Sequence, residues 1–76
     1  MTLTEDRASI ELTRDLCRRL GNQVTDRGVL PIDAAIGTTY AAFDMGAHVL
    51  GSQVAAIDWM RTAADLMESQ LMAGAR

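Results

Sequence analysis

The chain contains no lysine, a single cysteine, histidine and proline, and one each of Phe, Tyr and Trp among its 76 residues. Each scarcity excludes something. Cys17 has no second cysteine to pair with. One Cys with one His does not make a metal-ligand set, so no metal and no cofactor is expected. The few aromatics do not accompany the arginines, which leaves no platform for stacking bases. A net charge of −3 and a pI near 4.8 argue against a nucleic-acid or anionic-membrane partner. No apolar run approaches the ~20 residues of a membrane span, because Asp33, Asp44 and His48 interrupt the most apolar region. Met1 to Asp6 carry acids and no apolar stretch, so no leader is expected and a cytoplasmic location follows by default.

What remains is a globular composition, 49% hydrophobic and 22% charged, in 8.2 kDa. That size allows one domain, 1–76, with a marginal core. With disulfides and metal set aside, tight helix packing or self-association is left to support it.

The periodicity predicts an all-α fold of three helices, about 3–24, 31–50 and 52–73, with 25–30 as the linker. Thr2 and Glu5 have capping-box spacing at the first start. Ile10, Cys17 and Val24 recur at seven-residue intervals beside Thr13, Leu16 and Leu20, while Arg7, Glu11, Arg14, Asp15, Arg18 and Arg19 share the other side. The charged side offers pairs at i+3 and i+4: Arg7–Glu11, Glu11–Arg14, Asp15–Arg18 and Asp15–Arg19. These pairs read the arginine stripe as an internally balanced solvated face and not as a phosphate-binding one. Cys17 reads as a small buried hydrophobe. Gly28 is the expected left-handed terminator, Pro31 the first residue of the second helix, and Gly51–Ser52 a stop and restart.

The second helix is apolar on most of its circumference and needs cover on several sides. It is expected to form an antiparallel hairpin with the third, around Ile36, Phe43, Leu50, Trp59, Ala63 and Met67. Its small-residue flank, Ala34, Thr38, Ala42, Met45, Gly46 and Val49, is the expected self-association face, which a second copy would cover to give a two-fold helical bundle. Tyr40, Asp44 and His48 follow at i+4 steps and form either a polar seam or a small-ligand site. Met45, Met60, Met67 and Met72 suit gap-filling or contact with a partner, Met67 and Met72 being the better placed for the latter.

No phosphate loop, catalytic triad or paired-carboxylate arrangement accompanies these residues. The expectation is a non-enzymatic helical module, with little room for a catalytic cleft, that self-associates as a homodimer and binds another protein. The alternatives are a small inhibitor or accessory protein of phage or mobile-element type that blocks a larger machine, and a ligand-binding regulatory module around Tyr40, Asp44 and His48. The segment holding Trp59, Arg61, Ala64, Asp65 and Glu68 resembles the last helix of short bacterial and phage open reading frames.

Overall fold

The computed structural model describes residues 6–74. Three helices make up nearly all of it: α1 (Arg7–Asp26), α2 (Pro31–Leu50) and α3 (Gln53–Gly74), with no strand among the described residues. The architecture is all-α.

Helix α1 begins later than the Thr2–Glu5 spacing predicts, and that pair lies outside the described residues. Asp6 is the N-cap, with extended φ and ψ of −109° and 104°. Its carboxylate accepts from the Ala8 and Ser9 amides at 3.1 and 3.4 Å, and the Ser9 hydroxyl donates to its second oxygen at 2.8 Å. Two of the amides that a helix start leaves without partners are satisfied in this way.

The other end of α1 closes in a Schellman motif. The Gly28 amide donates to the Thr25 carbonyl at 3.0 Å and the Val29 amide to the Val24 carbonyl at 3.2 Å. Gly28 takes φ +98°, the left-handed conformation that a Cβ would strain. The next helix then starts on Pro31, where no amide is required, and the Ala34 amide closes its first bond to the Leu30 carbonyl. Asp33 sits in that first turn, favourably placed for the helix dipole.

Between α2 and α3 only Gly51 and Ser52 intervene. Gly51 has φ +75°, and the Ser52 hydroxyl accepts from the Ala55 amide at 3.2 Å. The turn therefore serves as terminator and cap at once.

The chain divides into two units, the first ending at Thr38 and the second beginning at Thr39. The division falls inside α2. In the first unit, α1 is strongly amphipathic yet holds no buried residue. In the second, the latter part of α2 meets α3. Gly46 stands opposite α3, and a Cβ built on it would lie 3.3 Å from the Trp59 ring and 3.7 Å from Ala56 Cβ. Ala56 is wholly buried, the only such residue among those described. Around it Ala42, Phe43, Ala47, Leu50, Ala55, Met60 and Ala63 are half-buried. The absence of a side chain at Gly46 thus leaves the space that the Trp59 ring and Ala56 fill.

Candidate interaction surface

The helices present two kinds of surface: charged faces that pair within themselves, and apolar faces left in the open. On α1, Arg7 pairs with Glu11 at 3.3 Å, while Asp15 is held by both Arg18 and Arg19, the latter at 2.9 Å. These are exposed pairs within one helix, each contributing a few tenths of a kcal/mol (~0.3–0.5). They make the face hydrophilic without leaving a free cationic stripe. Arg14 is the exception on α1, with no ion pair among the described residues.

The apolar side of α1 is open. Ile10, Leu12, Leu16 and Leu20 are each more than half exposed. Cys17 is exposed as well, which corrects its reading as a buried hydrophobe: its face is apolar, but that face has no cover. Burying a Leu or Ile fully contributes about 1.5–3 kcal/mol, so each of these four side chains leaves about 1 kcal/mol unrealised. Against a typical total stability of about 5–15 kcal/mol, such a sum is large.

The expected hairpin core is distributed unevenly. Phe43, Leu50 and Ala63 are half-buried, whereas Ile36, Trp59 and Met67 are exposed, Met67 at 64%. Trp59 nevertheless lays its ring against Gly46. Ala47 and Ala56 line the contact beside the expected core residues, together with Met60, one of the gap-filling methionines. Their signal was the alanine spacing at 55, 56 and 63, opposite the glycine.

Of the expected self-association face, Ala42 and Gly46 lie half-buried in the second unit, and Gly46 is occupied by Trp59. Ala34 is half-buried in the first unit, with its carbonyl accepting from the Thr38 hydroxyl at 2.8 Å. Thr38, Met45 and Val49 are exposed. Tyr40, Asp44 and His48 are exposed too, with no hydrogen bond joining them among the described residues.

In the second unit, Thr39, Tyr40, Phe43, Ile57 and Met60 line an open apolar groove of about 320 Å³. Tyr40 is 67% exposed at its edge. Tyr40 thus borders a hydrophobic trough formed with α3, away from Asp44 and His48. No group of three or more His, Cys, Asp or Glu among the described residues is placed to hold a metal ion. No helix is long and apolar enough to cross a membrane.

Compared with known protein families, with curated proteins and with solved structures, this chain has no match.

Proposed function

We propose that this chain is a small helical interaction module that completes its hydrophobic core by self-association and acts by binding a protein rather than by catalysis. One observation carries the reading: a single residue, Ala56, is fully buried among those described, while large apolar side chains on all three helices stay exposed. Large apolar surface left open beyond scattered single side chains marks interaction sites in soluble proteins. A second copy is the simplest partner, because it is always present and a two-fold arrangement covers the same face twice.

The test is the mass in solution across a range of concentrations under reducing conditions. Twice 8.2 kDa, or 16.4 kDa, is the expected particle for a dimer. A well-folded particle of 8.2 kDa persisting at millimolar concentration overturns the reading.

A further inference from the structure

We infer that the groove formed by Tyr40, Phe43, Ile57 and Met60 receives the apolar face of α1 from a second copy, so that two chains exchange their first helices reciprocally. The inference rests on the self-association reading above and names the surfaces that would carry it. An amphipathic helix set into a hydrophobic trough is a common recognition mode, read as anchors at i, i+3, i+4 and i+7.

Three features fit α1 to that trough. The first is chemistry: the groove is apolar, and Ile10, Leu16 and Leu20 offer exposed apolar anchors on one side of α1. The second is length. Along α3 the apolar line continues from Ile57 through Ala64 to Leu71, all exposed, a rise of about 21 Å at 1.5 Å per residue. On α1 the line from Ile10 through Cys17 to Val24 has the same span and the same seven-residue spacing.

The third is charge. Asp58, Arg61, Asp65 and Glu68 run along α3 beside that line, with no ion pair among the described residues, and leave a net charge of −2. Arg14 borders the apolar side of α1 and is likewise in no ion pair, so α1 brings an uncommitted cation to an acidic edge. Arg61 adds one like charge there, between Asp58 and Asp65 in sequence. Complementary edges of this sort set orientation more than affinity.

The experiment uses the full chain and two variants, Leu16→Glu on α1 and Ile57→Glu in the groove, with the mass measured by sedimentation. Each variant alone should weaken dimerisation at least tenfold, since each places a charge at both junctions of the dimer. Mixing the two should recover a heterodimer, because one junction then joins an unaltered α1 to an unaltered groove. Arg14→Glu should weaken association roughly fivefold, and adding Asp65→Arg with Glu68→Arg should restore it. A wild-type dimer indifferent to both Glu variants overturns the exchange and leaves self-association standing. A wild-type monomer overturns both readings. Variants that dissociate singly but do not recover on mixing overturn the exchange alone.

Discussion

Gly37 and Gly46 lie on the same helix, and what stands beside each decides what a side chain there would do. A Cβ at Gly37 meets nothing within 4 Å, whereas one at Gly46 comes to 3.3 Å from the Trp59 ring. Gly37→Ala should therefore raise stability by about 0.5–1 kcal/mol through the lower helical cost of alanine. Gly46→Leu should lower it by about 1–3 kcal/mol through overpacking, read as opposite shifts in thermal midpoint. Asp6 offers a second test at this scale. Its hydrogen bonds from the Ser9 hydroxyl, and then from the Ser9 and Ala8 amides, hold its carboxyl below the usual value of 3.8. A depressed carboxyl stabilises the fold fully above that usual value and loses the contribution as pH falls through its lower folded value. Asp6→Asn keeps an acceptor at the cap but removes the titration. Circular dichroism should show less loss of helix in the variant than in the parent between about pH 4 and 2.

At the scale of the elements, the boundaries follow from chemistry that acts within a few residues. Gly28 before Pro31, and Gly51 before Ser52, were legible because a left-handed glycine and an N-cap hydroxyl work locally whatever the rest of the chain does. Periodicity alone places the start of α1 too early, because Thr2 and Asp6 are both residue types competent to cap. The choice of Asp6 uses the Ser9 hydroxyl as well as two amides, a combination that helical periodicity does not register. Packing was less legible than boundaries. Periodicity says that Ile10 and Cys17 share a face, or that Ile36 and Phe43 do, but not which faces acquire a neighbour. That depended on the space at Gly46, which the Trp59 ring and Ala56 fill. The Schellman closure gives a test of its own: Gly28→Ala should cost about 1–2 kcal/mol, since φ +98° is strained for any residue with a Cβ. Equilibrium denaturation measures it.

For the whole molecule, stability and association should be one quantity measured in two ways. If the exposed apolar faces are buried only against another copy, the folded state is favoured by mass action and the thermal midpoint rises with protein concentration. About 3–6 °C for each tenfold rise is expected for a chain of this length, from scanning calorimetry over two decades. A midpoint independent of concentration would assign all the stability to a single copy.

Helix α2 passes unbroken through the division between Thr38 and Thr39. A gene cut at that point would give fragments that inherit only 8 and 12 residues of the helix, 31–38 and 39–50. Isolated helices shorter than about 12–15 residues are marginal in water, so the first fragment would lose its 8-residue share, whereas 39–50 would depend wholly on its packing against α3. Insertions should accordingly be tolerated better at 27–30 or 51–52, where the backbone already leaves the helix, than at the middle of the chain.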